Sequence, residues 1–270
     1  MVLFFKILFK DLYHLLRTRN SRMFLKLAFR YGDAKRYEPK TVAFFNYTMD
    51  VPDCQSFLWQ FKEIFADENY RFQADSDAPL IYDCGANIGL DALYFKRMYP
   101  QARIKAFEAD PAIAALLQKN MHTNGFADVQ VVGKAVWIEN ATVSFASEGA
   151  DGGAMTADTG KMRIPAIRLK DWLLAETEID LLKMDIEGAE TAVIRDCGDA
   201  LQRVQNIFIE YHAYTGQPQA LDEMLGVLTG NGFRYFIRSE ADRKQPFVNR
   251  TNRKTPAMDL QLNIFAYRRF

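Results

Sequence analysis

Leu80-Ile81-Tyr82-Asp83-Cys84-Gly85-Ala86-Asn87-Ile88-Gly89 is the stretch whose reading settles the fold. An apolar run ends in Asp83 and a glycine turn, and helical spacing begins at once with Ile88, Leu90, Leu93 and Tyr94. Strand, tight turn and helix N-terminus in that order form the junction where a parallel α/β sheet binds a nucleotide-like ligand. Gly85 allows either a positive φ or close backbone contact with a ligand, and Gly89 lets the helix approach the sheet. Ala86 and Asn87 follow Gly85, so the G-x-G-x-x-G of dinucleotide binders is absent. Taken alone, the decapeptide also fits a strand-to-helix turn that holds no ligand.

Downstream, strand and helix patterns alternate. A helix over 88–98 stops before Pro100, and Arg103–Glu108 reads as a strand ending in an acid. Pro111 sits at the first turn of a helix running to about Asn124, and a third strand, Val129–Val132, continues towards Trp137. This alternation predicts right-handed βαβ crossovers and a parallel sheet. Glu108 lies 23 residues after Gly85. An acid about 20 residues downstream, at the tip of the second strand, is placed to accept hydrogen bonds from a ribose diol.

A second informative element is Ile179-Asp180-Leu181-Leu182-Lys183-Met184-Asp185-Ile186-Glu187-Gly188-Ala189-Glu190. Its apolar strand carries Lys183, Asp185 and Glu187 at alternate positions, on one side if the chain stays extended. Charges at the carboxyl end of a parallel strand are unfavourable unless they meet a ligand, a metal or one another. An internal Lys183–Asp185 ion pair satisfies that condition equally well. The next strand, Asn206–His212, ends similarly, and His212 alone of the three histidines stands at a strand's carboxyl tip, where a catalytic or substrate contact is expected. Further along come a helix over 219–229, a strand over 233–238 and a last strand over 262–268. The glycine-rich 147–154 reads as a loop between two short strands, either a lid or a plain hairpin tip. The basic loop with Arg243, Lys244, Arg250, Arg253 and Lys254 fits a phosphate contact or, more simply, a solvated surface.

Lys plus Arg and Asp plus Glu balance at 34 each, which removes the global electrostatic case for nucleic acid. Cys54, Cys84 and Cys197 are odd in number and widely spaced, so neither a disulfide framework nor a zinc site is expected, and a cytoplasmic setting fits. No apolar run approaches the ~18 residues of a membrane span, and a secretory signal is not expected. The chain divides into an N-terminal helical extension over 1–55 and an α/β domain over 56–270. Phe4, Leu8, Leu12, Leu15 and Leu16 repeat at helical spacing, and residues 1–36 hold nine Lys/Arg against Asp11 and Asp33, a net +7. Such a basic amphipathic helix suits peripheral contact with an anionic membrane, docking on the main domain, or a second subunit of a homo-oligomer. Asp53 is placed to cap a helix over 55–65, and 41–47 reads as one short strand.

Asp83–Gly89, Ala106-Phe107-Glu108, Leu182–Glu190 and Ile209-Glu210-Tyr211-His212, in this order, resemble the FkbM-type methyltransferases over roughly residues 60–240. The resemblance implies a Rossmann-like class I fold: a seven-stranded, mostly parallel sheet with helices on both faces and its last strand antiparallel. It implies S-adenosyl-L-methionine as cofactor and O-methylation of a hydroxyl on a sugar, glycan or natural product. Carried over residue by residue, Gly85, Ala86, Asn87 and Gly89 would pack on the methionine part, with Asp83 near. Glu108 would hold the ribose, and Lys134 and Ala135 would lie beside the adenine. Asp185 would serve on both the cofactor and acceptor sides. Ala109 replaces a proline common in the family.

Methyl transfer from a sulfonium is an in-line displacement, so alignment matters most, and an aliphatic hydroxyl needs a base or a metal. His212 is the first candidate base. Asp185, Glu187 and Lys183 are candidates for the acceptor side, and the carboxylates would suit Mg2+, although no spacing demands a metal and no ligand set is assigned. The absent N-P-P-Y motif favours oxygen over nitrogen as acceptor. Two other readings stay open: a catalytically inactive binding or assembly module, and a nicotinamide-dependent oxidoreductase.

Overall fold

The computed structural model describes residues 18–147, 153–155, 162–240, 244–250 and 258–268. Its central seven-stranded sheet is built from β3 (Leu80–Cys84), β4 (Arg103–Phe107), β5 (Gln130–Val132), β10 (Ile179–Met184), β11 (Val204–Tyr214), β12 (Arg234–Ser239) and β13 (Met258–Tyr267). Their spatial order is β12-β13-β11-β10-β3-β4-β5, and β13 alone runs antiparallel to its neighbours. The expected seven strands and antiparallel last strand are therefore present. Chain order reverses between β3 and β10, which makes the crevice outside their carboxyl ends the topological switch point.

Residue parity decides which side chain faces which layer. Ile81, Ile104, Leu181 and Phe208 join the core beneath α1 (Arg19–Tyr31), α2 (Cys54–Phe61), α3 (Leu90–Met98) and α4 (Pro111–Thr123). Leu80, Tyr82, Leu182, Ile207 and Ile209 join the opposite core beneath α5 (Leu169–Leu174), α6 (Glu190–Cys197) and α7 (Leu221–Gly230). All five residues of β3 are buried, because a parallel strand covered on both faces needs apolar side chains on both. The two-residue alternation of strands then puts Asp83, Lys183, Glu210 and His212 on the first face, in line with Ile81, Leu181 and Phe208.

The first described segment belongs to this same core. Leu27 of α1 and Val42, Phe44, Met49 and Val51 are buried with Phe61 and Phe65. Residues 41–47 are not one strand but part of a hairpin, β1 (Lys40–Phe44) and β2 (Tyr47–Val51). Asn120 on α4 holds it by accepting from the Asp50 N–H and donating to the Asp50 carbonyl. Asp53 caps α2 as expected, accepting from the Ser56 N–H at 2.8 Å. The helix does not continue regularly to Phe65: its last turn, Lys62–Ala66, is π-helical and carries Glu63.

The third strand also stops short of Trp137. After Gly133 the chain leaves the main sheet, and β6 (Ala135–Trp137) pairs instead with β9 (Met162–Arg168). With β7 (Ala141–Ser147) and β8 (Gly153–Met155) these form a separate four-stranded sheet, order β6-β9-β7-β8. Residues 148–152 of the glycine-rich stretch, residues 1–17 of the expected basic helix, and Arg243, Arg253 and Lys254 lie outside the described residues; Lys244 and Arg250 are exposed. Cys54, Cys84 and Cys197 are free and buried. Among the described residues no helix is long and apolar enough to cross a membrane.

Candidate active site

The glycine turn is built by its neighbours. Gly85 has φ +81°, and its N–H and that of Ala86 both donate to the Phe107 carbonyl at 3.0 Å. A Cβ on Gly85 would lie 1.7 Å from the Asp185 carbonyl oxygen, so the close approach that demands glycine is made by the chain leaving β10. Gly89, at φ +89°, meets α4 rather than the sheet: an added Cβ would stand 2.4 Å from Leu117 Cδ1. The expectation that Gly89 brings a helix onto the sheet is corrected to helix-on-helix packing. Asn87, also left-handed, donates its N–H to Glu108 Oε2 at 2.9 Å, while Asp110 N–H donates to Oε1 at 2.8 Å. Glu108 thus pins the turn to the tip of β4 and remains half-buried; burial raises its carboxyl pKa, against the lowering effect of these two N–H groups. Ala135 is buried beside Ala109, next to Glu108, and Lys134 is exposed on the link between the two sheets.

Lys183 is buried among acids. Its ammonium donates to the Gly85 carbonyl at 2.7 Å and stands 3.0 Å from Asp91, 3.3 Å from Asp83 and 3.9 Å from Asp185. Burial alone would lower the lysine pKa, but Asp91 and Asp83 outweigh it and hold it charged. Burial raises Asp83 to about 7, even with Lys183 beside it. Both Asp83 oxygens and Asp91 Oδ1 make no hydrogen bond among the described residues. Two buried acids therefore share one cation that also grips the cofactor turn. The possibility of a simple Lys183–Asp185 pair gives way to this larger cluster, with Asp185 its most distant member.

Lys183, Asp185 and Glu187 do not share one side, because the strand ends at Met184 and Glu187 is left-handed at φ +56°. Glu187 turns instead towards His212, which lies 3.6 Å away through Nε2. Asp185, Glu187 and His212 each present a ligating atom within 4.8 Å of the others. The His212 side chain is 2% exposed, and its Nδ1 lies 3.1 Å from Glu190 Oε1. Glu190 is in turn fixed by the N–H groups of Ile186 and Gly188. Burial would lower the imidazole pKa, but the hydrogen bond to Glu190 and the charges of Glu190, Asp185 and Glu187 push it up to about 10. At neutral pH this favours the imidazolium, which can act as a base only once its proton has left.

Beyond His212 the same crevice is lined with acids. Glu210, opposite Asn263 in the β11–β13 register, has its carboxylate bound by Gln261. Asn263 donates to Glu240 at 2.6 Å and to Glu63 at 3.3 Å. Burial, with Glu240, Asp185 and Asp91 nearby, raises Glu63 to about 7. Its contribution to stability is therefore full below about 4.5 and is lost as pH rises through about 7. Glu63→Gln is expected to stabilise the fold by about 1–2 kcal/mol at pH 8 and by almost nothing at pH 4.5. Thermal melts at both pH values check this, and an equal gain at both would show the effect is not one of charge.

The crevice thus assembles Gly85, Asn87 and Glu108 on one side and Asp185, Glu187 and His212 on the other, across the switch point. Lys183 and Asp83 lie beneath it as supports. Sequence reading missed Glu63, Asp91, Glu190, Glu210 and Glu240 as members. Glu190 and Glu210 stand inside quoted motifs, and the alternation of Glu210 with His212 was a usable signal. Glu63 and Asp91 occupy ordinary helical positions and gave none. A separate cleft of about 440 Å³, lined by Arg71, Gln73, Asp180, Gln205 and Tyr267 among others, opens at the opposite, amino-terminal edge of the sheet.

A family model described as the methyltransferase FkbM domain matches residues 83–235, from the glycine turn into β12. The chain is 32% identical over 165 residues to the 2-O-methyltransferase NoeI of Sinorhizobium fredii, covering 52% of this chain and 67% of that protein. It is 28% identical over 212 residues to the 31-O-demethyl-FK506 methyltransferase FkbM of Streptomyces tacrolimicus, covering 64% and 80%. Among solved structures, a methyltransferase FkbM from Methylobacillus flagellatus KT aligns at TM-score 0.47 and 19% identity, over 91% of this chain and 59% of that one. The expected resemblance is met by the family match itself, and this chain belongs to the FkbM family of S-adenosylmethionine-dependent methyltransferases.

Proposed function

We propose that this methyltransferase acts on oxygen, at a hydroxyl of a sugar, glycan or other natural product. The observation that carries the reading is the placement of Asp185, Glu187 and His212 directly across the switch point from the Gly85–Glu108 turn. Two relatives whose names specify O-methylation support it. The residues suit the cofactor. The half-buried Glu108 carboxylate offers lone pairs to a ribose diol, and a turn without pyrophosphate-binding glycines suits a ligand that has no phosphate. S-adenosylmethionine, when bound, supplies the activated methyl group.

In this reading the chain's own groups orient and desolvate the acceptor. The Asp185 and Glu187 carboxylates are about a quarter exposed, so they can accept a hydrogen bond or a proton from a hydroxyl. His212, charged and held by Glu190, supplies positive charge beside them. Two carboxylates alone would suit Mg2+. Three free cysteines fit a cytoplasmic enzyme.

Calorimetric titration with S-adenosylhomocysteine, with NAD as control, tests the reading. Binding of the first ligand only is expected. Glu108→Ala should weaken it about 10- to 100-fold, the size of a lost hydrogen bond to a charged acceptor. NAD binding without a response to S-adenosylhomocysteine would overturn it, and unchanged affinity in the variant would remove Glu108 from the ribose.

A further inference from the structure

We propose that Asp185, Glu187 and His212 bind one divalent first-row transition ion, of which Mn2+ is the reference, beside the cofactor turn. Their ligating atoms fall within 4.8 Å of one another. Trans ligands of an ion with bonds of about 2.1 Å stand about 4.2 Å apart, so side-chain adjustments of about half an ångström close the shell.

The histidine is built as ligating histidines are. Its side chain is 2% exposed, and Nδ1 is held at 3.1 Å by Glu190, itself 1% exposed and anchored on two backbone N–H groups. A carboxylate behind one ring nitrogen fixes the ring's orientation and leaves the other nitrogen for a metal, whose binding displaces the Nε2 proton to solvent. That other nitrogen, Nε2, makes no hydrogen bond among the described residues. It faces Glu187 at 3.6 Å and Glu210 at 3.7 Å, too far for direct bonds and close enough for an ion to bridge. Asp185 likewise makes no side-chain hydrogen bond among the described residues, and its contact with Lys183 is 3.9 Å. Glu187 Oε2 also accepts from the Tyr214 hydroxyl at 3.5 Å, which helps to hold it at this spacing.

The donor set selects the ion. Carboxylates suit Mg2+ and Mn2+, while an imidazole favours transition ions, so two oxygens and one nitrogen point to Mn2+ or its neighbours over Mg2+. The Asp185 carbonyl touches Gly85, which places the ion between the cofactor turn and the acid-lined crevice. There it would bind and acidify a hydroxyl oxygen. That last role rests on the proposed O-methylation; the binding of the ion does not.

The test is titration of the chelator-treated full chain with Mn2+, followed by the electron spin resonance of the free ion and repeated with Mg2+. One Mn2+ per chain is expected, with Mg2+ at least about tenfold weaker and Glu187→Gln weakening Mn2+ about tenfold or more. Electron spin echo spectra of the wild-type complex should show nitrogen modulation from His212, a readout that needs no variant to fold. No saturable Mn2+ binding, binding without nitrogen modulation, or equal affinity for Mg2+ would each overturn the proposal. S-adenosylhomocysteine is titrated on the same metal-free sample: cofactor binding without Mn2+ binding removes the ion and leaves the methyltransferase reading standing.

Discussion

Lys183→Met is expected to destabilise the protein by about 3–5 kcal/mol at pH 8, a fall of roughly 10 °C in melting temperature. The variant leaves Asp83 and Asp91 buried without their shared cation. It also removes the donor at 2.7 Å from the Gly85 carbonyl, so the cofactor turn loosens together with the core. Because Asp83 already titrates near 7, its protonation at low pH relieves part of the burden, and the deficit should shrink at pH 5.5. Adding Asp91→Asn should recover part of the loss, since one acid then needs no partner. Denaturant unfolding at the two pH values measures all three. If Lys183→Met unfolded like the wild type and lost only methyl transfer, Lys183 would be a catalytic residue, as the strand-end reading had it, and not a positioning one.

Gly85→Ala should destabilise by about 2–5 kcal/mol and abolish measurable S-adenosylhomocysteine binding. Two terms add. A left-handed residue with a side chain is strained by about 1–2 kcal/mol. The new Cβ would also lie 1.7 Å from the Asp185 carbonyl oxygen, which forces β3 and β10 apart at the ends that carry the site. Gly125 isolates the second term: it shares the conformation, at φ +80°, but no atom of the described residues lies within 4 Å of a Cβ built there. Gly125→Ala should therefore show the strain alone and bind ligand normally. Equal losses in the two variants would mean that the contact with Asp185 is relieved without consequence.

The order and type of the elements were legible because each depends on neighbours in the chain. Apolar runs wrote β3 and β11, Asp53 stood as a cap, and Pro111 opened α4. The turn Asp83–Gly89 and the acid at Glu108 were legible for the same reason: strand, turn and acid recur at a fixed separation. Where local patterns were broken by pairing, the reading slipped. Val131 and Val136 look like one strand, but Gly133 sends the second into another sheet. Phe44 and Tyr47 look continuous, but they close a hairpin.

What each charged residue does could be decided only in three dimensions. Lys183, Asp185 and Glu187 alternate in sequence as if on one face, but Glu187 adopts a left-handed backbone and joins His212, while Lys183 points to Asp83 and Asp91. His212 is recognisable from its strand tip as a functional candidate. Its charge is not, because that is set by Glu190 and by carboxylates whose distance from it depends on how β10, β11 and α6 pack. Secondary structure follows from chain-local sterics and hydrophobic periodicity, which a sequence displays directly. Protonation and ion pairing follow from burial and from charges brought within 4 Å by the fold, and no spacing along the chain encodes those distances.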